Sequence, residues 1–409
     1  MAEVAHSVSI ARSARPARPH SGQGERVLRW SVALLGVGIA VWRILLGLAH
    51  ATEDPVDAAE FVRATAPLEA VALARQALAE QPLDGRGYRV LAESRLDAAG
   101  APDPALLATA LQYAPRDAQA RLLAALAAEA AGDPATAVRH LDRLLRVAPL
   151  ASEALYPQLR ADIESAGGLA ALVRALRVHP PPPWRTGFLD YATRTATSPA
   201  ALNRLFRALA AVAALPRLEA SWWVQRLVAL GDVAGAAAAW QVYRPQPAVR
   251  ERVFDRDFAE LQPIPVPFEW VASTGTGVEV APTVGVAGVP GAVRVTFTGS
   301  RANFPLLTQL LQLPSATPLQ LVWTDTLLDL QTPRGIHWTL RCASGLPADL
   351  LAAPAQRGNA AWQRHAVAFT VPNDCSAQWL RLELDARIAA ESEAVGQYTV
   401  RGVGVQDAH

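Results

Sequence analysis

Five residues in the last fifty positions carry the chemistry that this sequence supports. Trp362 and Trp379 lie in segments whose apolar residues recur at every second position. Trp362 shares the parity of Arg364, opposite Val367 and Phe369. Trp379 shares the parity of Arg381, Glu383 and Asp385, opposite Leu380, Leu382 and Leu384. Alternate residues of a strand point to opposite faces, so both tryptophans are expected to face outward. An outward indole offers a flat apolar face to a pyranose ring, and guanidinium or carboxylate groups beside it suit the hydroxyls. Trp362, Trp379, Arg381, Glu383 and Asp385 are therefore the candidate ligand-binding residues. The competing expectation for the same parity is an outward face covered by another part of the chain.

Glu383 and Asp385 also have the spacing of a glycosidase pair, since same-face residues two apart on a strand lie about 7 Å apart. That chemistry needs a cleft and one carboxyl kept protonated. Arg381 and Arg387 flank the two carboxylates with positive charge, and a surface salt ladder is the expected role. No His-Glu-x-x-His helix, Gly-x-Ser-x-Gly elbow or complete Gly-x-Gly-x-x-Gly fingerprint occurs; Gly275 and Gly277 lead into Val-rich sequence without the third glycine. The chain has no lysine, so all 38 basic residues are arginine, which excludes P-loop, Schiff-base and kinase-type lysines. No catalytic residue, metal or cofactor is expected, and the chain reads as a non-enzyme.

These segments belong to a chain of 409 residues that is 51% hydrophobic and 18% charged, enough for two or three domains with real cores. With 38 basic against 37 acidic groups there is no global field for a polyanion; a nucleic-acid partner, which would need a local basic patch, is not expected. The two cysteines, Cys342 and Cys375, are too few for a zinc or iron–sulfur cluster.

Residues 1–28 are rich in Ser, Arg, Pro and Gly and read as a basic tail. Residues 29–50 follow with about 20 mostly apolar residues, enough to span a bilayer as one helix, interrupted by Arg43 near one end. Arginines precede this stretch and Glu53, Asp54, Asp57 and Glu60 follow it. The positive-inside rule then expects a cytoplasmic tail, a single inner-membrane anchor and a periplasmic bulk. A cleaved signal ending near Ala49-His50-Ala51 is the alternative; the apolar stretch is longer than a usual signal core, which favours the anchor. Either way the chain is exported, and in an oxidising compartment Cys342 and Cys375 are expected to pair.

From residue 55 to 262 the pattern is Ala-, Leu- and Arg-rich with a 3.6-residue period. Pro82, Pro115, Pro149 and Pro183 recur at intervals of 33 or 34, Ala137, Leu141 and Leu144 fall on one helical face, and Ser221 to Pro247 repeats the order of helix, Gly-Asp turn, helix and proline. This pattern resembles the tetratricopeptide family, most clearly over 84–117 and 118–151, where a proline ends the second helix of each pair. The resemblance implies a scaffold surface for protein segments. Trp222 and Trp223 are expected to pack, one of them bordering a groove.

Pro263-Ile264-Pro265-Val266-Pro267 stops any helix, and from 263 to 409 about eight or nine period-two segments bounded by Gly and Pro suit an all-β two-sheet sandwich or jelly roll. The runs Phe268-Glu269-Trp270-Val271, 306–314, 334–342, Val371 to Cys375 and 378–384 resemble the galactose-binding-like, carbohydrate-binding-module-like β-sandwich carried by some exported tetratricopeptide proteins of bacterial exopolysaccharide systems. The resemblance implies a non-enzymatic scaffold of exopolysaccharide or capsule assembly, with envelope proteins and possible polysaccharide as partners; a purely protein–protein adaptor of secretion or cell-wall assembly is the alternative. Sugar-binding members often close with an aromatic followed by acidic residues; here the last strand reads Tyr398-Thr399-Val400-Arg401-Gly402-Val403, without the acids.

Overall fold

The computed structural model describes residues 54–94, 102–245, 252–273, 275–283, 291–343 and 349–408. The expected tail at 1–28 and the expected membrane anchor at 29–50 lie outside the described residues. Among the described residues no helix is long and apolar enough to cross a membrane. The chain divides into two compact units at Ala127/Ala128.

The first unit is built of helices α1 (Pro55–Val62), α2 (Pro67–Glu80), α3 (Gly85–Ser94), α4 (Pro104–Tyr113) and the start of α5 (Ala118–Ala130). Small side chains form its core, with Ala59, Ala70 and Ala74 beside Val90 and Leu91. Arg89 is buried and pairs with Glu60, Glu93 and Asp117, each from a different element or turn.

The second unit begins with α6 (Pro134–Val147), α7 (Ser152–Ala161), α8 (Ala166–Leu176), α9 (Arg185–Thr195), α10 (Pro199–Val212), α11 (Arg217–Ala229) and α12 (Val233–Tyr243). The prolines punctuate helices at both ends. Pro55, Pro104, Pro134 and Pro199 open helices behind capping Asp54, Asp103, Asp133 and Ser198, whose side chains accept backbone N–H bonds; a first-turn proline loses no helix bond there. Pro82, Pro115 and Pro149 each follow a helix by two residues and cannot continue it. Ala137, Leu141 and Leu144 are buried on one face of α6. Trp223 is fully buried and stacks on Phe206, while Trp222 borders a groove.

Helix stops at Tyr243, well ahead of Pro263. The non-helical segment 252–270 belongs to the sandwich, with Val253, Phe258 and Trp270 in its core. The Pro-rich stretch is held against α11: Arg217 and Gln225 donate to the carbonyls of Ile264 and Pro265, 3.0 and 2.8 Å away. Buried Glu269 takes Arg217 from α11 and Arg244 from the end of α12, at 2.7 and 3.2 Å. The Pro-rich stretch is thus a docked strip.

Among the described residues ten strands form two five-stranded antiparallel sheets. In the first, β1 (Val271–Ala272), β4 (Leu307–Leu311), β9 (Gln378–Leu384), β6 (Ile336–Cys342) and β7 (Asp349–Ala352) lie side by side in that order. In the second the order is β2 (Val278–Thr283), β3 (Ala292–Arg301), β10 (Glu393–Asp407), β5 (Pro318–Gln331) and β8 (Gly358–Thr370). Trp270, Trp323, Trp338, Tyr398 and the leucines of β9 fill the space between them. Cys342 and Cys375 form a disulfide, with Cα atoms 5.6 Å apart, tying the end of β6 to the turn before β9.

Local alternation and the observed strands differ in three ways. Ala386 and Ile388 continue the parity of Leu380, Leu382 and Leu384, but β9 ends at Leu384 and Ile388 is exposed. Asp385 lies just past the strand, its N–H bonded to the Gly335 carbonyl. β2 and β7 escape detection, the first because Pro282 breaks its pattern and the second because it has four residues. β5 runs eight residues beyond Trp323, because its register shifts after Asp325 and hides the alternation.

Candidate functional site

The outer face of the β2-β3-β10-β5-β8 sheet presents one open aromatic ring. Trp362 projects from β8, the edge strand, and is 45% exposed. Its ring reaches toward β10, two strands away, where the Arg401 guanidinium lies 4.4 Å from the ring centroid. That contact holds both flat groups across the sheet by cation–π attraction. Arg401, Thr324 and Arg364 stand in register on β10, β5 and β8. Strand spacing sets the two outer arginines about 10 Å apart. Arg294 on β3 faces Thr399 of β10 in the neighbouring row. Arg294, Arg364 and Arg401 form no ion pair among the described residues. The face is thus an exposed indole among hydroxyls and guanidinium groups, a set able to stack on a ring and donate hydrogen bonds to hydroxyl or carboxylate oxygens.

Trp379 belongs to the opposite sheet, so the structure separates the two candidate tryptophans onto opposite faces of the sandwich. It is half-buried, with the Arg381 guanidinium 5.9 Å from its centroid. Leu310 beside it in register is buried although it lies on the outer face; its N–H donates to the Pro267 carbonyl of the docked strip. Glu383 is occupied: it accepts from Thr339 Oγ1 at 3.0 Å and pairs with Arg341 at 3.1 Å, and Arg341 also reaches Asp349 at 2.6 Å. Asp385 pairs with Arg334 at 3.1 Å. The salt ladder exists, but its cations come from β6 and the turn before it, whereas the expectation named Arg381 and Arg387. Cross-strand register decides this, and register is invisible in the local sequence.

Between the sheets, close beneath the Trp362 face, sits a polar knot. The Asp325 carboxylate is fully buried. Trp323 Nε1, Tyr398 Oη and Gln356 Nε2 donate to its Oδ2 at 2.7, 2.9 and 3.1 Å, and His365 Nε2 lies 2.9 Å from Oδ1. His365 stacks on Trp323 with centroids 4.8 Å apart. Trp338 Nε1 donates to Tyr398 Oη at 3.3 Å, linking the two sheets. Burial, and then the neighbouring Asp325 charge, hold the Tyr398 hydroxyl protonated well above its ordinary range. The knot thus ties β5, β8 and β10 to each other beneath the face. Sequence reasoning missed it; the only signal is an acidic residue at inward parity in β5.

The helical part of the second unit contains a groove of about 520 Å³ lined by His179, Pro181, Val212, Leu218 and Trp222. Its floor includes the buried bidentate pair Arg185–Glu219, at 2.8 and 2.6 Å. In the turn after α7, burial and the Glu129 charge push the Asp162 carboxyl up to about 7. Among the described residues no group of His, Cys, Asp and Glu is arranged to hold a metal ion.

No protein-family model matches the chain, and no curated protein matches it. Solved structures similar to it include a CBM4 module, at 17% identity over 38% of this chain and 99% of that one, with a TM-score of 0.28. TmCBM61 in complex with β-1,4-galactotriose is 14% identical over 39% of this chain and 99% of that one, with a TM-score of 0.25. The CBM22-1 xylan-binding domain from Paenibacillus barcinonensis is 12% identical over 34% of this chain and 87% of that one, with a TM-score of 0.23. At scores this low, the likenesses leave the ligand of this chain open.

Proposed function

We propose that this protein is a non-enzymatic, carbohydrate-binding scaffold of the cell envelope, in which the Trp362 face of the sandwich holds a glycan. The observation that supports this reading is the exposed indole of Trp362, fixed over Arg401 on an open sheet face. Residues 29–50 would anchor the chain in the inner membrane and leave the bulk periplasmic. The paired helices, tetratricopeptide-like in their proline spacing, would hold a protein partner, and the setting that suits both is exopolysaccharide or capsule assembly.

The test is calorimetry on the full chain in detergent micelles, after a glycan array has selected a ligand. Trp362→Ala should weaken binding about tenfold or more, equivalent to about 1.4 kcal/mol, and Trp379→Ala should leave it within about twofold. Absence of any glycan binding, or equal effects of the two substitutions, would sink the reading. The apolar groove bordered by Trp222 favours a second reading, a protein–protein adaptor. Crosslinking from position 222 in cells, with a sandwich inert to every glycan, would select it.

A further inference from the structure

The Trp362 face carries more positive charge than a neutral sugar needs. Arg401 and Arg364 flank Thr324 in one row, and Arg294 stands one strand beyond Arg401. Farther along the same strands a niche of about 150 Å³ opens between Val322, Gly404 and Gln406, with Arg252 and Arg256 on its wall. Gly404 matters there, because a Cβ at that position would sit 2.9 Å from Arg256 Nε. The acids of the region are engaged or distant: Asp407 pairs with Arg252 at 2.8 Å, Asp257 accepts the Gly402 N–H at 3.1 Å, Asp329 accepts from Asn359 Nδ2 at 2.8 Å, and Glu279 lies on β2, at the far edge from Trp362. The chain as a whole is close to neutral, with a net charge of +1, so this arginine row is a local feature and not a sample of the average surface.

Arginine suits this role for a stated reason. Its planar fork matches a carboxylate bidentately and remains charged at any physiological pH. An exposed guanidinium without an acidic partner costs nothing to keep in water, and it gains most when an anion arrives with fixed geometry. An indole beside such groups adds ring stacking, which an anion alone does not use.

We infer that the ligand of this face is an acidic polysaccharide, a linear glycan bearing uronate carboxylates, with Trp362 under one ring and Arg401 and Arg364 on its carboxylates. The inference rests on the glycan reading above and narrows it to a ligand class.

The experiment compares four probes on the full chain in micelles at low salt: an oligogalacturonate of about ten residues, the same oligomer with its carboxyls reduced to alcohols, poly-glutamate, and single-stranded DNA. The uronate oligomer should bind about 30-fold tighter than its reduced form, the size expected for one or two charge-assisted contacts. The advantage should shrink as salt rises. Arg364→Gln with Arg401→Gln should remove the advantage yet retain weak binding of the reduced oligomer, and Trp362→Ala should weaken both. Equal binding of the two oligomers overturns the acidic assignment and leaves the glycan reading intact. Poly-glutamate or DNA binding as tight as the uronate overturns it too, since charge alone would then suffice. A preference that survives the double substitution places the anion elsewhere. No binding of either oligomer, together with an empty glycan array, fails the glycan reading itself.

Discussion

The two outer faces of the sandwich are built from the same parts and use them differently. Each presents one tryptophan with one arginine over its ring, at 4.4 Å for Trp362 and Arg401 and 5.9 Å for Trp379 and Arg381. On the Trp379 face the neighbouring arginine Arg341 is tied to Glu383 and Asp349, and Leu310 is buried beside the docked 263–270 strip. On the Trp362 face Arg294, Arg364 and Arg401 have no acidic partner among the described residues, and the ring is open. Outward parity is therefore necessary for a ligand platform and insufficient for one. What separates the faces is whether cross-strand neighbours have already consumed the polar groups.

Four tests break or sharpen that contrast. The largest effect belongs to the interior under the open face. Asp325→Ala strands the donors of Trp323, Tyr398 and Gln356, and should lower the stability of the sandwich by about 3–4 kcal/mol. Tryptophan fluorescence in a urea series checks it, with the sandwich transition followed separately because a chain of several cores does not unfold in one step. A loss below about 1 kcal/mol would mean that the knot is not what fixes the sheet beneath Trp362.

Next comes the disulfide, which staples the sheet of the covered face across a separation of 33 residues. Replacing both cysteines with serine should cost about 3 kcal/mol by chain entropy, visible as a lower melting temperature. Glycan binding well below that temperature should persist, since Trp362 belongs to the other sheet. Free thiols in the native protein would contradict the bridge outright.

Third, Trp379→Ala should destabilise by about 2 kcal/mol, because a half-buried ring leaves a gap. Trp362→Ala should cost less than about 1 kcal/mol. The reverse order in denaturant midpoints would exchange the roles of the faces. Smallest is the pair of charge removals. Glu383→Ala frees Arg341 and Thr339 and should cost about 1 kcal/mol, whereas Arg364→Gln should fall within about 0.5 kcal/mol of wild type. Similar thermal shifts for both would show that the two networks are equally bound up with folding.

Much of the architecture is legible in the residues because it follows from period and punctuation. Pro82, Pro115 and Pro149 mark real helix ends, whereas Pro183 stands seven residues past one, and Leu380, Leu382 and Leu384 point inward as their alternation requires. Cys342 and Cys375 pair as expected. The site is less legible. Arg401 and Trp362 are 39 positions apart in sequence and come together only through the order β10-β5-β8, which no local pattern encodes. The register shift after Asp325 hides the far half of β5 in the same way. Membership of Val253 and Phe258 in the sandwich core is equally hidden, since their segment shows no strand alternation.

The position of β8 at the rim of its sheet has one more consequence. A 13-residue rim strand leaves a row of backbone donors and acceptors without a strand beside it, and such rows recruit a second chain unless charge or a bend prevents it. Ala360, Ala361, Ala366 and Ala368 offer little resistance to that. Arg364 supplies charge within the strand, and Arg357 stands just before it. On the proposal that Arg364 meets a glycan carboxylate, the same side chain guards the rim, so a variant stripped of it to accept neutral sugars should trade its new selectivity for self-association.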